Sequence, residues 1–377
     1  MNIPYLSKVN FEEIYTQIPD CEFVKSNTTI SPNKLICGEN TLALKKLITT
    51  YDLAGKIDLV YIDPPFATNN TFTFSPERTS TISHSKHDKI AYTDTLKGTD
   101  FLDFLRIRLR LLHTLLSEEG SIYLHIDYKI GHYVKILMDD IFGINNFRND
   151  ITRIKCNPKN FARKGYGNIK DMILFYTKSD KMIWNEPKTP YTEEDKTKLF
   201  PKIEKNGRRY TTIPLHAPSE TLHGKTAQAF KGILPPKGRH WRTNVATLEV
   251  WDSEGLIEWS EKGNPRKKLY FDEQVGKRVQ DIWDMKDPPY PVYPTEKNAD
   301  ILNLILKTSS NAGNYVLDCF CGSGTTLRAA HTLGRNWIGI DQSAQAIQVS
   351  TEKLDGLTSD MFTPKPCYEL LACPKIM

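Results

Sequence analysis

The stretch Tyr315-Val-Leu-Asp-Cys-Phe320, running into Cys321-Gly322-Ser323-Gly324-Thr325-Thr326 and then Leu327–Leu333, reads as a strand, a glycine loop and a helix. The apolar run is short, two glycines interrupt it, and helical spacing resumes behind them. Two more stretches follow the same grammar. Lys34-Leu-Ile-Cys37 leads through Gly38-Glu39-Asn40 into Leu42, Leu44, Leu47 and Ile48. Ile57-Asp-Leu-Val-Tyr-Ile62 stops abruptly at Asp63-Pro64-Pro65-Phe66, because consecutive prolines donate nothing to a sheet ladder. A fourth strand, Trp337-Ile-Gly-Ile340, ends at Asp341, and a helix over Phe101–Leu116 and a strand over Ser121-Ile-Tyr-Leu-His-Ile126 lie between. Strands alternating with helices predict an α/β fold with a doubly wound, mostly parallel sheet.

Length and composition bound the rest. At ~150 residues per domain, 377 residues make about two domains. No apolar run approaches the ~18–20 residues of a membrane span. The N-terminus, MNIPYLSKVNFEEIY, lacks the basic-then-apolar order of a secretory signal. The seven cysteines are scattered, with no CxxC pair at zinc-ligand spacing. Membrane, collagenous, disulfide-stapled and zinc-ribbon classes are excluded, and a reducing intracellular compartment is expected. His84 and His87 have no third ligand at sensible spacing, so no metal site is expected.

The net charge of +5 hides an asymmetry. Residues 151–280 hold 26 Lys and Arg against 15 Asp and Glu, whereas the rest of the chain holds 24 against 30. Basic and aromatic residues interleave in Gly207-Arg208-Arg209-Tyr210, Lys237-Gly-Arg239-His240-Trp241-Arg242 and Arg266-Lys267-Lys268. Such a pattern suits a polyanion whose bases are stacked upon, and equally a solvated charged surface. Residues 181–290 lack βα regularity and divide the chain into 1–180, an inserted module at 181–290, and 291–377. Residues 67–100 are rich in Thr, Ser and Asn with no sustained period, and read as a long functional loop.

In an open α/β sheet, ligands bind beyond the carboxyl ends of the strands. Gly322 and Gly324 stand at such an end, where a glycine backbone approaches a ligand closely and a helix N-terminus follows. Asp341, at the end of the next strand, can accept both hydroxyls of a ribose. A phosphate-cradling P-loop needs a lysine after the glycines, and none follows Gly324. A nicotinamide fingerprint needs a third glycine where this chain has Leu327. An S-adenosylmethionine site, which holds no pyrophosphate, remains beside a plain tight turn.

Asp63-Pro64-Pro65-Phe66 after a buried strand, together with Phe320-Cys-Gly-Ser-Gly324, resembles the signature pair of the DNA amino-methyltransferases. With the catalytic motif preceding the cofactor motif, the order is similar to the permuted β group of that family. Phe101-Leu-Asp-Phe-Leu with Arg106 and Arg108, Gly120-Ser-Ile-Tyr-Leu-His125-Ile-Asp127, Asp171-Met-Ile-Leu-Phe-Tyr-Thr-Lys178 and Tyr293-Pro294-Thr295-Glu296-Lys297 match as well. The likeness covers roughly residues 30–180 and 290–355. It implies a seven-stranded, Rossmann-like methyltransferase sheet, with S-adenosylmethionine as cofactor and double-stranded DNA as substrate. The family pattern assigns catalysis to Asp63, Pro64, Pro65 and Phe66. It assigns the cofactor to Glu39, Asp63, Thr295, Lys297, Asp318, Phe320, Gly322, Gly324 and Asp341. The central module becomes the target-recognition region, with Arg208, Arg209, Lys237, Arg239, Arg242 and Lys267 as DNA contacts. A cognate restriction endonuclease, a homodimer and a cytoplasmic, nucleoid-associated location in a prokaryote are further implications.

Two departures from the pattern are tolerable. Phe66 replaces the commoner Tyr and keeps a π-face, and Glu39 replaces an Asp and keeps an acceptor. Relatives with Ser in place of the Asp generally methylate cytosine N4, so Asp63 tilts the target towards adenine N6. Cytosine N4 is the alternative, with an RNA base, a protein amide and a non-catalytic DNA-binding module behind it.

The chemistry agrees. An exocyclic amine is a poor nucleophile because its lone pair is delocalised into the ring. Asp63 and the Pro64 carbonyl can accept its two hydrogens and draw the nitrogen towards tetrahedral geometry. A base inside a duplex must be flipped out to reach them. Asp287-Pro288-Pro289-Tyr290 is a closer literal match to the signature, but it follows Asp281-Ile-Trp-Asp-Met-Lys286 rather than a buried strand and reads as a linker turn. His125 reads as a satisfied structural histidine or as a contact near the flipped base.

Overall fold

A computed structural model describes residues 11–65, 71–74, 89–93, 98–158, 164–287, 297–358 and 364–373. It divides into two compact units, residues 1–187 with 280–377, and residues 188–279.

Both ends of the chain contribute strands to one sheet in the first unit. Its order is Val24–Lys25, Glu369–Cys373, Lys34–Gly38, Asn336–Asp341, Tyr315–Asp318, Ile57–Ile62, Leu116–Ile126, Lys170–Thr177, Phe147–Ile154 and Ile282–Asp284. From Glu369–Cys373 to Leu116–Ile126 every pairing is parallel. Lys170–Thr177 runs antiparallel to both neighbours. The seven strands from Lys34–Gly38 to Phe147–Ile154 make the expected α/β sheet, and three outer strands extend it to ten. One of these is Ile282–Asp284, read from sequence as not a buried strand. At the sheet's edge only Trp283 of its three residues is buried, so the apolar run typical of a central strand is missing. Another is Glu369–Cys373, from a tail to which the sequence reading assigned no role.

The central strands read as continuous apolar runs because helices cover both faces. Ile36, Val60, Ile62, Ile122, Leu124, Ile338 and Ile340 share a buried cluster with residues of helices Asn40–Thr49, Gly98–Leu115 and Tyr128–Phe142. The alternate residues point the other way. Tyr123 exchanges a 2.8 Å hydrogen bond with Ser309 of helix Ala299–Ser309, and Gly339 lies against Leu327 of helix Thr325–Thr332. The sheet is therefore doubly wound.

The winding fixes where a site can form. From Tyr315–Asp318 the chain crosses through helix Thr325–Thr332 to Asn336–Asp341 on one side. From Ile57–Ile62 it passes through helix Gly98–Leu115 to Leu116–Ile126 on the other. Between these adjacent strands the connections part to opposite faces, which opens a crevice at their carboxyl ends.

The second unit is built on a four-stranded antiparallel sheet, Lys202–Ile203, Arg209–Pro214, Pro265–Tyr270 and Ile257–Trp259. His216–Pro218 pairs with Arg239–Trp241 beside a small core of Leu215, Phe230, Trp241, Leu248 and Ile257. Within the 67–100 stretch, read from sequence as a loop, Thr71–Phe74 and Lys89–Thr93 pair as an antiparallel ladder. The alternation of Thr and Phe over 71–74 is the strand period that the polar composition obscured. Among the described residues, no helix is long and apolar enough to cross a membrane.

The C-terminal strand is tied down electrostatically. Glu369 lies 3.0 Å from Lys34 Nζ and 3.1 Å from Lys25 Nζ, with the Lys34 and Glu369 side chains both 10% exposed. Burial alone would raise the Glu369 carboxyl, but hydrogen bonds from Lys34 and Lys25 bring it below the ordinary 4.5. This contribution is complete above about pH 4.5 and is lost as pH falls through the lowered folded-state value. Glu369→Ala leaves Lys34 buried without its carboxylate, and is expected to cost about 3 kcal/mol in urea unfolding at pH 7, with a smaller deficit at pH 3.

Candidate active site

Three neighbouring parallel strands carry an aspartate at their carboxyl ends. Asp318 and Asp341 are the last residues of theirs, and Asp63 is the residue after Ile57–Ile62. Asp318 is buried and accepts hydrogen bonds from Thr326 Oγ1 (2.6 Å) and the Phe320 amide (3.0 Å). Burial, reinforced by the charges of Asp63 and Asp341, outweighs those bonds and pushes its carboxyl up to about 7. Asp341 accepts from the Gly322 and Ser343 amides at 2.9 Å each, and burial raises its carboxyl as well. The loop between them is a glycine structure by necessity. Gly322 and Gly324 have φ of +50° and +74°, and a Cβ on Gly324 would meet Ser350 Oγ at 2.7 Å. Ser350 Oγ in turn donates to the Gly322 carbonyl at 2.9 Å.

A second layer braces this loop. Asn40 donates to the Cys319 carbonyl at 3.0 Å and accepts from Arg108 Nε at 2.6 Å. Arg108 lies over the Phe104 ring, 3.4 Å from its centroid, and Phe104 approaches Phe320 with centroids 6.1 Å apart. Burial lowers Arg108 to about 10, against the opposing pull of Glu39. Glu39 caps helix Asn40–Thr49 through the Leu42 amide (3.0 Å), and its carboxylate also accepts from Thr41 and Arg108. The structure thus places Glu39 near the glycine loop with both carboxylate oxygens already engaged.

On the other side of the crevice, Asp63 Oδ2 lies 3.0 Å from Lys297 Nζ, while Oδ1 is buried without a hydrogen-bond partner among the described residues. Behind it runs a chain of buried polar groups on four strands. His125 Nδ1 is 4.0 Å from Asp63 Oδ1 and 3.2 Å from the Tyr61 hydroxyl. His125 Nε2 is 3.2 Å from Asp171 Oδ2. Asp171 also takes Lys155 Nζ at 2.6 Å and Arg153 Nη1 at 3.4 Å, and Arg153 continues to the Met285 carbonyl (2.8 Å) and the Asp287 carboxylate. Although burial opposes it, the hydrogen bonds from His125 and Lys155 hold the Asp171 carboxyl below the ordinary range. Asp287, the head of the second Asp-Pro-Pro, thus serves as a counter-ion for Arg153.

Asp63, Glu39, Lys297, Asp318, Phe320, Gly322, Gly324 and Asp341 all belong to the first unit, with Pro64 buried and Pro65 half-buried beside Asp63. Phe66 and Thr295 lie outside the described residues, as do His84, His87 and Pro288–Tyr290. In the second unit, Arg208 is committed to Asp272 and Glu273, with Nη2 2.8 Å from each, and stacks on Tyr270. Arg209 donates to the Phe200 carbonyl at 3.4 Å, Lys267 sits 3.5 Å from the Trp251 ring centroid, and Lys237 is exposed. Arg239, Arg242 and Arg266 instead donate to neutral acceptors: His216 Nδ1 (3.1 Å), the Pro214 carbonyl (3.1 Å) and Thr212 Oγ1 (2.8 Å). Their charges converge on His216, where burial first and then these three arginines lower the imidazole's proton affinity. Arg266, Arg153, Tyr61 and Asp171 escaped the sequence reading as site residues. The available signal was polarity inside apolar strands, since Arg153 and Asp171 are charged yet almost wholly buried.

Comparison with known proteins adds an independent line. The DNA methylase family model N6_N4_Mtase matches residues 57–352. The type II methyltransferase M.EcaI of Enterobacter cloacae is 39% identical over 328 residues, covering 85% of this chain and 69% of that protein. The type III restriction-modification enzyme StyLTI Mod subunit of Salmonella typhimurium is 26% identical over 358 residues, covering 84% of this chain. The chain spans 52% of that subunit's length. Among solved structures, the PvuII DNA methyltransferase (cytosine-N4-specific) aligns with a TM-score of 0.46 at 13% identity, over 88% of this chain and 89% of that one.

Asp318 gives the site a pH signature. Its carboxyl ionises at 3.8 when unfolded but at about 7 when folded, so the folded chain keeps a proton that the unfolded chain has lost. Stability therefore falls as pH climbs between those values and is flat beyond. Asp318→Asn cannot ionise, so thermal melts are expected to show its midpoint, relative to wild type, more favourable at pH 8 than at pH 5.

Proposed function

The chain belongs to the N6/N4 DNA methylase family, and from that membership we propose that it methylates N6 of an adenine flipped out of duplex DNA. The single observation that carries this reading is Asp63, a carboxylate and not a serine, at the switch-point crevice opposite the Asp318–Gly322–Asp341 loop.

The cofactor is S-adenosylmethionine, and the residues present fit it. Three aspartates crowd the crevice; Asp318 is raised first by burial and then by the charges of Asp63 and Asp341, and a cationic ligand relieves that repulsion. Asp341 keeps lone pairs free for ribose hydroxyls after accepting two amides, and the αL glycines allow close backbone approach. Lys297 suits a carboxylate at the methionine end. When bound, S-adenosylmethionine supplies an electrophilic methyl group on sulfur.

The protein's own part is orientation. Asp63 and the Pro64 carbonyl accept the amine hydrogens, which turns the nitrogen lone pair out of conjugation with the ring. Holding two reactants in line can supply ~7–11 kcal/mol of the barrier. Phe66 offers the flipped base a stacking surface, worth roughly 1–3 kcal/mol against the cost of unstacking. The restriction-modification setting of the relatives favours a site-specific reaction on duplex DNA, with a cognate endonuclease acting on the same sequence.

The basic module supplies the phosphate contacts. Arg239, Arg242 and Arg266, whose partners are neutral, carry charge available to phosphates, whereas Arg208 is neutralised by two acids. Each phosphate contact contributes about 0.9 to the slope of log K against log salt. The Arg239→Ala/Arg242→Ala double variant is therefore expected to weaken duplex binding and flatten that slope by about two. Arg208→Ala should leave the slope unchanged and lower the melting temperature. A double variant with the wild-type slope moves the DNA surface elsewhere.

The test of the reaction is mass spectrometry of nucleosides from DNA incubated with the protein and S-adenosylmethionine. N6-methyl-2′-deoxyadenosine is the expected product, and N4-methyl-2′-deoxycytidine would overturn the adenine assignment. Asp63→Ala is expected to lower turnover by at least ~100-fold while calorimetry shows the cofactor still bound. Near-normal turnover in that variant would remove Asp63 from the chemistry.

A further inference from the structure

We propose that Asp171 fixes His125 in its neutral Nε2–H tautomer so that no proton is offered to Asp63 Oδ1, which makes His125 and Asp171 positioning residues for the acceptor of the target amine. The inference rests on the function proposed above for Asp63. The proton positions follow from the partners. Asp171 accepts from Lys155 and Arg153, so the His125 nitrogen facing it, Nε2, must be the donor. Burial, then the Lys297 charge, lower the imidazole's proton affinity, so the ring holds one proton and not two. Nδ1 is left as a lone pair, and it accepts from Tyr61, whose phenol keeps its proton because burial and the Asp63 charge raise it.

Asp63 Oδ1 lies 4.0 Å from that nitrogen and has no hydrogen-bond partner among the described residues although it is buried. A buried carboxylate oxygen without a donor is costly, and ordinary packing would supply one. Here the His125 nitrogen 4.0 Å away is held in the tautomer that cannot donate. The consequence is chemical. A donor on Oδ1 would draw charge out of the carboxylate and weaken its hold on the amine hydrogens at the other oxygen. Withholding that donor leaves Asp63 a strong acceptor, tempered on Oδ2 by Lys297.

Nitrogen NMR of the 15N-histidine-labelled full chain reads the tautomer directly, with the His125 ring assigned through its contact with the Tyr61 hydroxyl. A neutral Nε2–H ring at pH 7 is the expected result, and an Nδ1–H or doubly protonated ring would overturn the proposal without any variant. In Asp171→Asn the amide oxygen is drawn to Lys155 at the Oδ1 position, and the NH2, in the place of Oδ2, donates to Nε2, which selects the opposite tautomer. The expected outcome is an Nδ1–H ring and about tenfold lower kcat, with the S-adenosylmethionine dissociation constant unchanged and kcat recovered in Asp171→Glu. A switched tautomer with wild-type kcat would also overturn it. Failure of the wild-type protein to methylate DNA would instead count against the function proposed above, because the tautomer is read without DNA.

Discussion

Two strands that lie side by side, Ile57–Ile62 and Tyr315–Asp318, send the chain to opposite faces of the sheet, and the rest of the first unit is arranged around the gap this leaves. A parallel sheet covered on both faces has no other natural opening. The connection after Ile57–Ile62 begins with Asp63-Pro64-Pro65, and the one after Tyr315–Asp318 begins with the glycine loop. Residues distant in sequence therefore meet at one crevice because their strands are hydrogen-bonded neighbours.

The crevice concentrates negative charge at an energetic cost. Asp318 is buried and Asp341 half-buried, each with its proton affinity raised, and Asp63 contributes to the pressure on Asp318. Backbone amides of the glycine loop offset part of this, and Lys297 balances Asp63. A cation in the gap offsets more. An arrangement that is unfavourable for folding is thus favourable for a sulfonium ligand, the usual relation between buried charge and a functional site.

The layer behind Asp63 is the costliest part of the fold. Arg153, Asp171 and His125 are almost fully buried, and they survive there because each is engaged by another or by Lys155, Tyr61 and Asp287. Removing one partner from such a set exposes the desolvation cost of the rest. The second Asp-Pro-Pro motif finds its explanation here: its carboxylate answers Arg153 from the end of an edge strand, where a sequence reading could offer only a turn.

Much of the fold was legible in the chain itself. Apolar runs closed by glycine or proline pairs, with helical spacing behind them, determine parallel strands whose carboxyl ends carry Asp63, Asp318 and Asp341, because local sterics and periodicity act over a few residues. Outer strands escaped, since Ile282–Asp284 buries only one side chain of three and Glu369–Cys373 makes sense only beside Lys34–Gly38. The burial of Arg153, the engagement of Glu39 by Arg108, and the neutralisation of Arg208 by Asp272 and Glu273 were decided by tertiary structure alone. Each depends on groups brought together from distant parts of the chain, and neither a charge's solvation nor its partner is encoded in its immediate neighbours.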